Sequence, residues 1–448
     1  MPGTAPLELP GPGPAPEGDL LDSAAAGPAA IRGSLIRTAG YLGTAAVSLI
    51  SVSLLIRHIG VADFGHYVTV LSLVTLAATL SDAGLTTIGI REYAVRPPAG
   101  RTRLMANLLG LRCVLTVVGV GGATLFAVAA GYGTRLIEGT LIAGVGILLV
   151  VLQGTYAVPL TASLRLGTVT ALDFARQVLT TALTVAVVLA GGTLLAFLAL
   201  PIPVGIVILA VTQLLVRRSM PLRPRLDLDE CRELLRAIVP IALAVAVGAI
   251  YFRVSLILMS VIASAEQTGY FATAYRVLEV IIQLPALIVG AAFPILARAA
   301  RDDADRLRYA VGRLAEAMVI LGAFVAMSVV LGAAFAIQVL AGGGAGPSVA
   351  VLQLQGIAIA VSFVASAWSF GLLSLARYRE VLVITSTGVV TVFTLTLVLE
   401  PLLDAQGTAL AIVGGDSIQS LLAFLILRRR VAGLRFPVRV GVRVAAAA

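Results

Sequence analysis

The chain has 448 residues, of which 59% are apolar and only 12% charged, and its mean hydropathy is +1.03. Soluble domains carry about 25% charged residues, so this composition excludes a water-soluble globular protein and any large extramembrane domain. The net charge is +9, all 32 strongly basic residues are Arg, and aromatic residues make up 6%; with no basic–aromatic module, this reads as loop charge on a membrane protein rather than nucleic-acid binding.

Residues 1–31 are rich in Pro, Gly and Ala, carry Glu8, Glu17, Asp19 and Asp22, and have no Arg before Arg32. A secretory signal needs a basic start followed by an apolar block, so this stretch is expected to be a disordered cytoplasmic tail. Long apolar runs follow. About 20 apolar residues cross the hydrocarbon as a helix, and a helix satisfies its own backbone there. The runs predict about twelve transmembrane helices, near 33–57, 66–90, 104–130, 137–158, 165–190 and 193–216, then 234–262, 267–296, 310–340, 348–376, 380–400 and 406–427. The short alternating segments of a membrane barrel are absent. The expected class is an all-α polytopic membrane protein with two six-helix lobes, 32–216 and 234–430. A cytoplasmic inter-lobe loop, 217–233, joins them, and a cytoplasmic tail, 431–448, follows.

The arginines orient this scheme. With the N-terminus inside, the clusters at Arg91–Arg103, Arg217–Arg236, Arg298–Arg313, Arg377–Arg379 and Arg428–Arg443 all fall on one side. The opposite loops hold only Arg57 and Arg135. Positive charge stays inside, so both termini are expected to be cytoplasmic. An internal echo supports two like-oriented halves: FGHYVTVLSLV at 64–74 resembles TGYFATAYRVL at 268–278. Halves of six spans each are related by an axis along the membrane normal, as in parallel-repeat transporters.

Ionisable groups at membrane depth are costly and mark bundle interiors or wet cavities. The candidates are Arg112, Asp173, Arg176, Arg253, Arg276, Glu279, Glu316 and Asp416. At about 1.5 Å per residue, Arg253 and Arg276 share one depth on neighbouring spans. Glu279 lies one turn further in, on the helix face of Arg276. In the first half Arg112 and Asp173 fall at similar depths, and Asp173 and Arg176 repeat the i, i+3 spacing. Ion pairs that merely hold the bundle together are one reading. The other is an anion site, because two arginines against one acid leave positive charge, and guanidinium binds phosphate through paired hydrogen bonds.

The rest of the chain lacks reactive constellations. Cys113 and Cys231 make neither a disulfide framework nor a metal site, and His58 and His66 flank one short turn. The GGG at 342–344 has no following Lys-Ser/Thr, so it reads as an outer loop rather than a phosphate cradle. No cofactor, metal, nucleotide or nucleic-acid partner is expected. A glycan polymerase or ligase, the rival from another class, needs a large outer loop with catalytic residues, whereas the loops here are short.

Two stretches carry a resemblance. GSLIRTAGYLGTAAVSLISVSLLIRHIGVADFGHY (33–67) with LSDAGLTTIGIREYA (80–94), and YFRVSLILMSVIASAEQTGYFATAYRVLEV (251–280), resemble the oligosaccharide/polysaccharide flippases of the MOP superfamily, which also holds lipid II flippases and MATE exporters. The resemblance implies a V-shaped pair of lobes around a cationic cavity. It implies alternating access that carries a polyprenyl-pyrophosphate-linked oligosaccharide from the inner to the outer leaflet of the cell membrane, without enzymatic chemistry. Membrane lipids, glycosyltransferases and a glycan polymerase are the implied partners. Arg253 and Arg276 match positions where relatives place cavity charges. Where relatives often have an acid after the aromatic–Arg stretch this chain has Val254 and Ser255, so ion coupling there would fall to Glu279 or Asp173. The rival within the superfamily is a MATE-like exporter of a soluble cation, for which a net acidic cavity is expected.

Overall fold

A computed structural model describes residues 26–163, 165–217 and 224–436. Its α-helices are α1 (Ala26–Asp82), α2 (Leu85–Val95), α3 (Pro98–Ala129), α4 (Thr134–Tyr156), α5 (Val158–Ala162), α6 (Leu166–Leu189), α7 (Leu194–Ala199) and α8 (Pro201–Val216). They continue as α9 (Leu228–Ile262), α10 (Ala265–Ile281), α11 (Gln283–Asp302), α12 (Ala304–Ala341), α13 (Ser348–Ser374) and α14 (Tyr378–Arg430). A 3-10 turn at Gly342–Ala345 joins α12 to α13, and no strand occurs among the described residues. The all-α membrane class is as expected.

Among the described residues, ten helical stretches are long and apolar enough to cross a membrane, against twelve predicted spans. Two hairpins account for the difference. Gly60 inside α1 has φ 81° and ψ 168°, and Asp404 inside α14 has φ 51° and ψ −139°, both outside the helical region. Arg430 pairs with Glu380 at 3.0 Å although they are 50 positions apart, whereas a straight helix would separate them by about 75 Å. Likewise Val52 and Thr75 line one small cavity, and straight helix would hold them about 35 Å apart. The chain therefore reverses at Gly60 and at Asp404, and the ten stretches make twelve passes. Glycine suits the first turn because it adopts positive φ without a Cβ clash.

Several boundaries differ from expectation. α1 starts at Ala26, so residues 26–31 are helical; residues 1–25 lie outside the described residues. α9 starts at Leu228 rather than 234. The Asp227 side chain caps it by accepting from the Asp229 backbone N–H at 3.2 Å, and Asp229 and Glu230 occupy the first turn, where the helix dipole favours acids. Residues 431–436 are not helical, and 218–223 and 437–448 lie outside the described residues. The start of α9 also packs unexpectedly: Cys231, Leu234 and Ile238 share a core with Leu85, Leu104, Leu108 and Val216. The expected boundary at 233/234 thus falls within a helix whose first turns belong to the N-terminal core.

The larger core runs from Val52, Leu55, Ile56 and Phe64 of α1 through α9 to α14. Trp368, fully buried, stacks obliquely on Phe424 and Phe436 at 5.2 and 5.9 Å between ring centroids. Between the halves, α1 packs on α9, α10 and α12. The echo segments meet there. A Cβ on Gly65 would stand 2.5 Å from Ala265 O, and one on Gly269 would overlap Val61 O. Thr69 and Thr273, at equivalent places, make the same bond to Gly65 O and Gly269 O, at 2.9 and 2.8 Å. Equivalent positions touching each other is what a two-fold relation between repeats produces. Bare backbone contact closes the bundle tightly at its Gly60 end.

Candidate functional site

Arg253 lies on α9; Arg276 and Glu279 lie three positions apart on α10. Arg253 Nη2 donates to Glu279 Oε1 at 3.0 Å, and Arg276 Nη1 donates to Glu279 Oε2 at 2.6 Å. Arg276 Nη2 also donates to Ser48 Oγ at 2.8 Å, tying α10 to the first arm of α1. Tyr275 OH donates to Phe252 O at 2.6 Å, which fixes α10 against α9. Arg253, Tyr275, Arg276 and Glu279 line a cavity of about 170 Å³ between α1, α9 and α10, with Tyr67, Thr75 and Leu256 in its other walls. The side chains of Arg253, Glu279 and Arg276 stay 21%, 27% and 32% exposed, so they face open space rather than solid protein. At about 30 Å³ per water the cavity holds a handful of waters. Two guanidiniums share one carboxylate, and one positive charge is left over.

The depth argument thus places its three C-terminal candidates at one site. It missed Ser48, Tyr67 and Thr75, which α1 contributes from across the bundle. The echo was the available signal, since Tyr67 and Tyr275 both lie within its two copies and both line the cavity.

The three N-terminal candidates lie elsewhere. Arg112 of α3 is buried, but its partners are Asp82 at the end of α1 and Thr155 Oγ1 at 3.0 Å, not Asp173. Asp173 and Arg176 pair with each other at 2.9 Å along α6, half exposed and away from the cavity. Equal depth did not bring Arg112 and Asp173 together because α3 and α6 present those positions in different directions. Glu316 pairs locally with Arg313 at 2.8 Å. Asp416 is buried and accepts from Tyr251 OH. His66 meets Asp63 at 3.3 Å and His58 Nε2 lies 2.9 Å from Gly192 O. No group of three His, Cys, Asp or Glu suited to a metal occurs among the described residues.

A second cluster sits at the arginine-rich end. Glu230, nearly buried, accepts from Arg96 Nη1 and from Asn107 Nδ2 at 2.6 Å, and pairs with Arg103 Nε at 3.2 Å. Arg96 also pairs with Glu92 at 3.3 Å, and Arg103 with Asp227. Asn107 Oδ1 accepts from the Asp227 backbone N–H at 2.8 Å, and Ala106 O accepts from Arg225 N–H at 3.0 Å. The hydrogen bond from Arg103 holds the Asp227 carboxyl below its ordinary range. These bonds strap the inter-half segment onto α3. Reading 217–233 as a plain loop concealed them.

The sequence profile described as polysaccharide biosynthesis protein matches residues 30–300. No curated protein sequence matches the chain. Among solved structures, the lipid II flippase MurJ in its inward closed conformation superposes with a TM-score of 0.73 at 11% identity, covering 92% of this chain and 90% of that one. An inward-facing multidrug-resistance MATE transporter of the MOP superfamily superposes at 0.65 and 14% identity, covering 87% and 95%. A MOP superfamily transporter from Pyrococcus furiosus does so at 0.57 and 15%, covering 88% and 96%. The chain is a multi-pass membrane protein that belongs to the polysaccharide biosynthesis protein family and has the fold of the MOP superfamily.

Proposed function

We propose that the protein is a flippase that carries a polyprenyl-pyrophosphate-linked oligosaccharide from the inner to the outer leaflet. Its two six-span lobes, 32–216 and 234–430 with the start of α9 strapped to the first, would rock about the cavity between them. The observation that carries this reading is the unbalanced pair Arg253 and Arg276 lining that cavity around a single Glu279. A charged headgroup must cross about 30 Å of hydrocarbon, where each charge costs several kcal/mol. Guanidiniums in a wet cavity offset that cost for a diphosphate, while the lipid tail stays in the bilayer. A cavity of 170 Å³ is too small for a glycan headgroup, so the present state is closed between loadings. Opening it separates α1 from α10 and breaks the Arg276–Ser48 bond.

The reaction makes and breaks no covalent bond, so the role is transport rather than catalysis. Positive-inside bias puts the arginine-rich end and both termini in the cytoplasm. Glycosyltransferases would supply the substrate there, and a polymerase would consume it on the far side. A cation exporter of the MATE kind fits less well, because surplus guanidinium repels its cargo. The test is flipping of a fluorescent lipid-linked oligosaccharide in proteoliposomes. Wild-type protein should flip it, and Arg253→Ala with Arg276→Ala should not, while still eluting as a folded, membrane-inserted protein. Full activity of that double variant would remove the basis of the reading.

A further inference from the structure

Beside the charged cavity runs a larger, apolar one. It measures about 460 Å³ and lies between the second arm of α1 and α3, with Leu73, Leu76, Ala77, Gly119 and Gly122 in its walls, and Ile257 of α9 also lines it. That volume is in the range of ordinary ligand sites, roughly 300–1,000 Å³. Among its lining residues Ser81 carries the one polar side chain, and its hydroxyl lies 2.7 and 2.9 Å from the carbonyls of Ala77 and Leu115, already occupied. Leu80, Val118 and Phe126 on the rim are exposed, so the groove opens sideways from the bundle at membrane depth.

Its position relative to the cavity decides what it can hold. Arg253 lines the charged cavity and Ile257 the groove; they sit four positions apart on α9, one turn or about 6 Å. On α1, Leu71 and Thr75 face the cavity while Leu73 and Leu76 face the groove. A molecule with an anionic head and a long apolar tail can therefore fill both at once, leaving laterally into lipid. We propose that this groove binds the first isoprene units of the polyprenyl chain whose diphosphate occupies the Arg253–Arg276 cavity. The assignment rests on the flippase reading and adds to it the place where the tail binds.

Gly122 supplies the test. A Cβ there meets nothing within 4 Å, and the same holds for Gly121, which does not line the groove. A side chain can therefore leave the backbone at either site without meeting a neighbour, yet only Gly122 lines the groove. The probe is a polyprenyl diphosphate with a diazirine near its first isoprene units, in vesicles of phosphatidylcholine. Labelling is expected on α3 between Leu115 and Phe126 and at Ile257. Unlabelled polyprenyl diphosphate should compete it away, and excess phosphatidylglycerol should not. Gly122→Phe should cut labelling at least tenfold, and Gly121→Phe should leave it within twofold; Ile257→Trp blocks the other wall should Gly122→Phe not fold. Equal competition by phosphatidylglycerol would show an ordinary lipid site and overturn the proposal, as would undiminished labelling in the blocked variants. Competed labelling without any glycan flipping by wild-type protein would sink the flippase reading but keep the polyprenyl site. Flipping without groove labelling would do the reverse.

Discussion

Two clusters in this protein are built on the same plan, a glutamate shared by two arginines, and differ in what surrounds it. At the arginine-rich end Arg96 and Arg103 meet Glu230, and Glu92 and Asp227 add further carboxylates. Asn107 fills the remaining hydrogen-bonding positions. At the cavity Arg253 and Arg276 meet Glu279 as their one carboxylate partner among the described residues, and the third bond goes to a neutral serine. The first cluster sets three carboxylates against two guanidiniums, so it has no positive charge to spare and acts as a strap. The second keeps a charge and a space, which is what the proposed anion site requires. An ion pair is thus informative only when all the charges around it are counted together.

Converting the second cluster into the first should have the largest effect. Thr75→Asp places a second carboxylate on the cavity wall, and transport in proteoliposomes should fall about 100-fold. That matches the 2–5 kcal/mol carried by buried charge contacts. Thr75→Asn, of similar size and uncharged, should keep most activity; equal loss in both would attribute the defect to shape.

Breaking the first cluster should affect stability before transport. Glu230→Ala leaves Arg96, three-quarters buried, short of its main partner. It should lower stability by about 3 kcal/mol, the lower edge of the range for breaking buried pairs. Thermal unfolding in detergent measures it. Asn107→Ala removes two hydrogen bonds and should cost about 1–2 kcal/mol. The double variant should lose less than the sum, since both residues act on one network.

The smallest effect concerns pH. Asp227 is depressed in the folded protein by Arg103, so its contribution is fully present above the ordinary aspartate value near about 3.9. It is lost only as pH falls through the lower folded value. The difference in thermal unfolding between the wild-type protein and Asp227→Asn, followed in detergent, should therefore be flat from pH 8 to 5 and shrink only in stronger acid. A change between pH 7 and 6 would show that some other group controls the strap.

Much of the architecture could be read in the apolar runs. The two turns at Gly60 and Asp404 fall where the runs were divided, even though the backbone stays helical up to each turn. The repeat was visible in the 204-residue echo, and the contact of Gly65 with Gly269 gives it a physical meaning. The α9 start was not read correctly, because the cap at Asp227 and the acidic first turn sit in a polar stretch that hydropathy scores as loop. The apolar groove had no signature at all, since its walls look like any lipid-facing helix.

Sequence alone determined that the chain lives in a membrane, how many times it crosses, and which end gathers the arginines. Each follows from local transfer free energies summed along one helix at a time. Which charges meet was decided only by the tertiary structure. A rise of about 1.5 Å per residue gives the depth of Arg112, but the relative rotation of two helices, set by packing along their whole length, gives it Asp82 as partner and leaves Asp173 elsewhere. The same rotation turns Arg253 and Arg276 onto one glutamate and opens the space beside them.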